Sequence, residues 1–188
     1  MFAIPLFRYK IKNFKTKKKK LLALKGDLVR HRIMPDGSVT SLSISTDFWN
    51  KNQQVNKKYD DEPNRKKIQE IFSDEFEEWY KESTIRSSIK NYWFEESTIH
   101  DYHGVHTHGP IGYSSVVYLD YDPKQHSPTF FLSFYNNFVN REDNIHSPEV
   151  EEGDMILFPS IVPHFTTPNT SQIPRQIFSM NLDVFYEK

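Results

Sequence analysis

The 188-residue chain contains no cysteine. Disulfides and thiolate ligands are excluded, so any metal must be held by nitrogen and oxygen donors. Long hydrophobic runs are absent too: the apolar stretches are a few residues each, against the about 20 that a membrane-spanning helix needs. The chain has no large excess of either charge, since 24 Lys and Arg face 25 Asp and Glu for a formal net of −1. Overall charge therefore gives no reason to expect nucleic acid, an anionic substrate or a membrane surface as partner. The opening MFAIPLFRYK has no charged leader followed by an apolar core and a cleavage site. Export is not expected, and a cytoplasmic location is. The length suits a single domain spanning 1–188 with a sizeable core.

Two helices are expected early in the chain. In KTKKKKLLALKG, Thr16 is placed to cap a short helix ending at Gly26, with Lys17 to Lys20 as a solvated first turn. In DEPNRKKIQEIFSDEFEEWYKES, residues Ile68, Phe72, Phe76, Trp79 and Tyr80 recur at three- and four-residue steps, which predicts one amphipathic helix with an aromatic core face. Between them, LVRHRIMPDGSVTSLSIS reads as a hairpin turning at Pro35, Asp36 and Gly37, with His31 a surface or packing residue. From about residue 86 the pattern changes to short strands: SSIKNYWFE, GYSSVVYLD, SPTFFLSFY, DMILFPS and RQIFSMNLDVF, parted by Pro, Gly, Asn and Asp. The expected class is mainly β (α+β), a barrel or jelly roll over 86–188 buttressed by the helices and hairpin of 1–85.

The stretch DYHGVHTHGPIGYSSVVYLD sets three histidines within six positions ahead of a strand. Residues i and i+2 of an extended chain point to one face, so His106 and His108 can chelate one ion together. A third donor has to come from elsewhere in the chain. His164, in EGDMILFPSIVPHF, is the candidate, because Pro159 and Pro163 fix the backbone just before it. His100 and His103 are expected at the rim or behind the ligands, with His103 an alternative ligand, and His126 and His146 in exposed loops. Tyr102, Tyr113, Trp93 and Phe94 could line a substrate entrance or be ordinary core.

VHTHGPIGYSSVVYLD, EEGDMILFPSIVPHFTTPN and RQIFSMN, taken in that order and spacing, resemble the Fe(II)- and 2-oxoglutarate-dependent oxygenase superfamily. They are most similar to the small 2OG-Fe(II) oxygenases of marine bacteria and their phages, a branch related to the prolyl hydroxylases. The resemblance covers roughly residues 88 to 185 and implies a double-stranded β-helix, the cupin-like jelly roll. It implies Fe(II) and 2-oxoglutarate as cofactors, ascorbate as the reductant in an assay, and the cytoplasm of a bacterium or phage-infected host as setting. It places the proximal metal histidine on His106 and the distal one on His164. Arg175 falls where an arginine clamps the far carboxylate of 2-oxoglutarate, and Tyr118 where a tyrosine helps hold it. The implied activity is hydroxylation of an unactivated C–H bond, with succinate and carbon dioxide as co-products; the substrate is a protein residue or a small molecule.

Two positions depart from the pattern. His108 stands where most members have the metal-binding carboxylate, so three neutral imidazoles leave the site one negative charge short. Ile177 replaces the first serine of the R-x-S-x-S-x-N strand, on which Ser179 and Asn181 also fall. Asp101 could supply the carboxylate if its loop folds back. Two rival readings stay open: a three-histidine cupin-type dioxygenase that needs no 2-oxoglutarate, and a non-enzymatic β-sandwich metal-binding module.

Overall fold

The computed structural model describes residues 5–34, 36–49, 61–133 and 145–186. Among these residues the strands are β1 (Phe7–Lys10), β2 (Val29–Ile33), β3 (Val39–Thr46), β4 (Ile85–Ser97), β5 (His103–His106), β6 (Tyr113–Asp120), β7 (Phe130–Leu132), β8 (Ile145–His146), β9 (Asp154–Pro159), β10 (His164–Thr166) and β11 (Arg175–Tyr186). The helices are α1 (Phe14–Leu22), α2 (Glu62–Ile71) and α3 (Ser73–Ser83). A seven-stranded sheet runs β1-β9-β6-β11-β4-β3-β2 and a four-stranded sheet runs β5-β10-β7-β8, with every pairing antiparallel. This is the double-stranded β-helix that the sequence leads one to expect.

Strand alternation divides the core in two. On the outer face of the large sheet, Phe94, Val117, Leu119, Met155, Leu157, Phe178 and Met180 pack with Ile68, Phe72, Phe76 and Trp79 of the helices. On the inner face, Val116, Tyr118, Ile156, Phe158 and Ile177 meet Phe131 of the small sheet. The central strands β6 and β9 are thus apolar on both sides, which is why VVYL and MILF read as short continuous hydrophobic runs. Along β11 the inward row is Arg175, Ile177, Ser179 and Asn181, interleaved with Phe178 and Met180 facing the helices.

Several local expectations are corrected. The single helix across 61–83 is two helices, broken at Phe72 (φ −102°, ψ 18°). The apolar spacing runs straight through the break, so the hydrophobic pattern alone could not show it. Helix α1 begins at Phe14, ahead of Thr16, with Asn13 at the N-cap position, and its C-cap is Ala23 instead of Gly26. Its lysines are not all solvated. Lys17 pairs with the buried Glu75 (2.8 Å) and with Asp74, while Lys18 bridges Asp120 (2.7 Å) and Glu152 (2.8 Å). Half of the run therefore ties α1 to α3 and to the large sheet, and Lys19 and Lys20 are the solvated part. Pro35 of the hairpin turn, and the last residues of SPTFFLSFY, lie outside the described residues.

Candidate metal centre

Two short neighbouring strands and one loop bring the histidines together. β10 pairs with β5 so that His164 faces His106 directly. His108 lies just past β5 on the loop that turns back into β6. Gly112 closes that loop with φ 92°, and any Cβ there would sit 2.4 Å from the Leu182 carbonyl oxygen. Only glycine lets the loop approach β11 so closely, and the approach sets His108 against Asn181.

The ligand nitrogens of His106, His108 and His164 lie within 4.8 Å of one another. In each ring Nδ1 is already engaged. His106 Nδ1–H donates to the Gly104 carbonyl (2.8 Å) and His164 Nδ1–H to the Val162 carbonyl (2.9 Å). His108 Nδ1–H donates to Asn181 Oδ1 (2.7 Å) and also meets Ser114 Oγ (2.9 Å). Such bonds fix the tautomer, so each Nε2 is left bare toward the shared space. Bare lone pairs repel, yet Nε2 of His106 and of His108 stand 3.1 Å apart. A cation between them turns that repulsion into coordination, and the donor set suits one divalent metal.

Burial is the main reason these imidazoles stay neutral, with mutual repulsion second. It pushes His108 down to about 4 and His164 to about 2, and it lowers His106 as well. The sign for stability follows. Unfolded histidines take up protons near 6.5, whereas the folded ones resist until far lower pH, so stability present above 6.5 is lost as pH falls. His103 acts in the opposite sense, since Glu95 outweighs its burial and raises it, but it is one group against three. The metal-free protein is expected to show a lower urea midpoint at pH 5 than at pH 7, with His164→Phe flattening the difference. An equal or higher midpoint at pH 5 would contradict the neutral cluster.

Behind the cluster, His103 stacks on His106 with ring centres 3.8 Å apart and faces Glu95 Oε2 at 3.3 Å. Glu95 is 6% exposed. Burial would push its carboxyl up, but His103 and the Trp93 indole N–H, which donates to Oε1 (2.7 Å), hold it well below the usual carboxylate range. Neither Glu95 nor the support given to His108 by Asn181 and Ser114 was expected from sequence. The one available signal for Glu95 was an acidic residue directly following the apolar run Tyr92, Trp93 and Phe94. His103 lies behind the ligands, while His100 is exposed with φ 69°. Asp101 is held by Arg30 and Thr98, away from the cluster. His126 is a correction. It is 6% exposed, accepting from the Asp122 N–H and donating to the Ile173 carbonyl, because the loop leading into β11 covers it. His146 is exposed.

Arg175 is 4% exposed, with its guanidinium carbon 5.7 Å from the centre of the Tyr118 ring. Its contacts are sparse: Nη2 donates to Thr129 Oγ1 at 3.4 Å, and Nε is buried without a hydrogen-bond partner among the described residues. The Tyr118 hydroxyl accepts from the Thr129 N–H (3.1 Å), which leaves its proton free to donate. A buried guanidinium this poorly paired is costly unless an anion joins it, so the pair suits the distal carboxylate of 2-oxoglutarate. A cavity of about 620 Å³ opens over the histidines, lined in part by Trp93, Glu95 and Asn181 and by Phe48 and Trp49 from beyond β3. Of the four aromatics considered for the entrance, Trp93 lines it. Phe94 and Tyr113 belong to the helix-side core, and Tyr102 is 46% exposed.

A jelly roll with three convergent imidazoles at its mouth is the class of a protein equipped to hold one metal ion. Residues 91–181, which contain the three histidines, Tyr118 and Arg175, match the family described as "Putative 2OG-Fe(II) oxygenase". Over that span, just under half of the chain, it is similar to the 2-oxoglutarate- and Fe(II)-dependent oxygenases. Comparison with curated proteins by sequence returns no match. Solved structures similar in fold include a Pseudomonas putida prolyl-4-hydroxylase (TM-score 0.52, 10% identity, covering 96% of this chain and 94% of that one). Another is a Trichoplax adhaerens prolyl hydroxylase in complex with a hypoxia-inducible-factor peptide (0.55, 10%, 95% and 83%). A third is a viral collagen prolyl hydroxylase of Paramecium Bursaria Chlorella virus-1 in complex with 2OG (0.53, 9%, 97% and 96%). These likenesses favour neither the three-histidine cupin dioxygenase nor the binding module. No described helix is long and apolar enough to cross a membrane.

Proposed function

We propose that His106, His108 and His164 hold Fe(II) through Nε2, and that Arg175 and Tyr118 hold the distal carboxylate of 2-oxoglutarate. The carrying observation is that three imidazoles, His164 buried and His106 and His108 half-buried, present bare nitrogens within 4.8 Å, each fixed by a bond at Nδ1. The chemistry supplied by the bound pair is the coupling of 2-oxoglutarate decarboxylation to oxidation of a substrate C–H bond. The chain's own part is to place and protect. Asn181, Gly104 and Val162 orient the rings. Phe158, whose ring centre is 4.8 Å from that of His164, and Phe131 at 6.0 Å form an apolar floor that keeps water from one side of the centre. The substrate is a protein residue or a small molecule entering by the cavity. The setting is the cytoplasm of a bacterium or of a phage-infected host, where Fe(II) and 2-oxoglutarate are both supplied by metabolism.

The test is succinate formation under air with Fe(II), 2-oxoglutarate and ascorbate as reductant. Wild type should release succinate slowly even with no added substrate, and His106→Ala and His164→Ala should fall to background. Equal succinate from all three proteins, with iron still bound by wild type, would remove the oxygenase role from this site. Succinate formation that ignored the His106→Ala change alone would move the ligand set.

A further inference from the structure

The cavity over the histidines has charged groups of both signs in its lining, and they differ in what they have left to give. Glu95 already has a partner at each oxygen, Trp93 at Oε1 and His103 at Oε2. Lys90, at the rim, lies 3.7 Å from Asp183. Arg32, from the outermost strand β2, is different. Its guanidinium carbon lies over Trp49, 4.9 Å from the ring centre, and its Nε is buried with no hydrogen-bond partner among the described residues. A guanidinium over an aromatic face spends none of its N–H donors on the ring, and its planar fork matches an oxyanion.

The rings between Arg32 and the metal centre form an unbroken wall. Trp93 is 5.3 Å from His108, Phe48 is 5.1 Å from Trp93, and Trp49 is 4.9 Å from Phe48, all in edge-to-face contact. All three aromatics line the same cavity as Arg32 and His108. We infer that this cavity takes a substrate with an oxyanion head and a flat or apolar body, the head held by Arg32 and the body laid along Trp49, Phe48 and Trp93 toward His108. The placing of the reacting carbon rests on the proposed metal centre; the preference for an anion does not.

The test uses the full chain loaded with Zn(II) and 2-oxoglutarate and a set of probes sharing one body: phenylbutyrate, phenylbutyramide and phenylbutylamine, with phenethyl phosphate as a second oxyanion. Binding is read by quenching of tryptophan fluorescence and by ligand-observed NMR. Either oxyanion should bind about tenfold or more tighter than the amide, with the amine weakest, and the better of the two names the head group. Arg32→Gln should abolish that preference while leaving amide binding, 2-oxoglutarate affinity and melting temperature unchanged. Equal binding of amide and oxyanion, tighter binding of the amine, or a preference that survives Arg32→Gln would overturn the inference. So would displacement of phenylbutyrate by 2-oxoglutarate, which would put the probe in the co-substrate site. If the chain fails to bind metal, the proposed function falls alone, because the same probe series can be read on the metal-free protein.

Discussion

Arg175→Leu should lose about 100-fold or more of the affinity for 2-oxoglutarate while leaving the fold as stable as wild type, or more so. Two effects of opposite sign meet at this residue. Toward the co-substrate, a guanidinium that meets a carboxylate through two charge-assisted bonds contributes roughly 3 kcal/mol or more, which is a factor of about 100 in Kd. Toward the fold, the same group is a cost. It is 4% exposed and, among the described residues, makes one long side-chain bond to Thr129 and leaves Nε unpaired. Replacing a buried and poorly paired charge with an apolar side chain of similar length is typically neutral, or stabilising by about 1–4 kcal/mol.

The opposed signs make the experiment decisive. If Arg175 served mainly to hold β11 in place, the leucine variant would melt lower and its loss of binding would be a by-product of damage. Calorimetric titration with 2-oxoglutarate, run beside thermal melting of the ligand-free protein, separates the two. Lost binding with an unchanged or raised melting temperature supports the clamp. Unchanged affinity would rule it out whatever the melt. Tyr118→Phe should lose less, about tenfold, because a single neutral donor is removed from a site that keeps its charge.

The sequence made the inward rows of the long strands legible, and with them much of the site. His106 and His108 are two residues apart on an extended segment, so their shared face needed no tertiary information. His164 could be nominated because Pro159 and Pro163 fix the backbone just before it. The strand β10 that carries it is three residues long, too short to show a period, and the two-residue β8 is equally silent. The edge strand β1 went unread because its four residues offer one buried position, Tyr9. His126 was misread as exposed because its cover comes from Ile173, 47 residues away in sequence. Arg32 and Trp49 were illegible as cavity residues for the same kind of reason. They lie beyond the family match, and only the pairing of β3 with β4 brings their hairpin to the mouth.

The remaining large effect concerns His108, where the usual carboxylate is missing and where a decayed enzyme would show its decay. A ligand position kept by chance has no reason to be fitted to an imidazole. His108 is fitted: its Nδ1–H meets Asn181 Oδ1 at 2.7 Å and Ser114 Oγ at 2.9 Å, Ser114 donates to the same Asn181 oxygen, and Ser160 lies 2.8 Å from Ser114. Ser114 and Ser160 are buried, so this network has no water to fall back on. An aspartate at 108 is shorter than histidine and has no N–H, so it could not span from Asn181 to the meeting point of His106 and His164. His108→Asp is therefore expected to bind Fe(II) more weakly than wild type and to release less succinate, although it restores the usual ligand type. Asn181→Leu should weaken metal binding by about 10–100-fold, the usual cost of removing the partner that orients a ligating histidine. Asn181→Asp, which keeps an acceptor for Nδ1–H, should largely preserve it. Anaerobic Fe(II) titration of the three variants reads all of this directly. Tighter iron binding and faster turnover in His108→Asp, with Asn181→Leu silent, would mean that the histidine is a damaged carboxylate site and that the hydrogen bonds behind it are incidental.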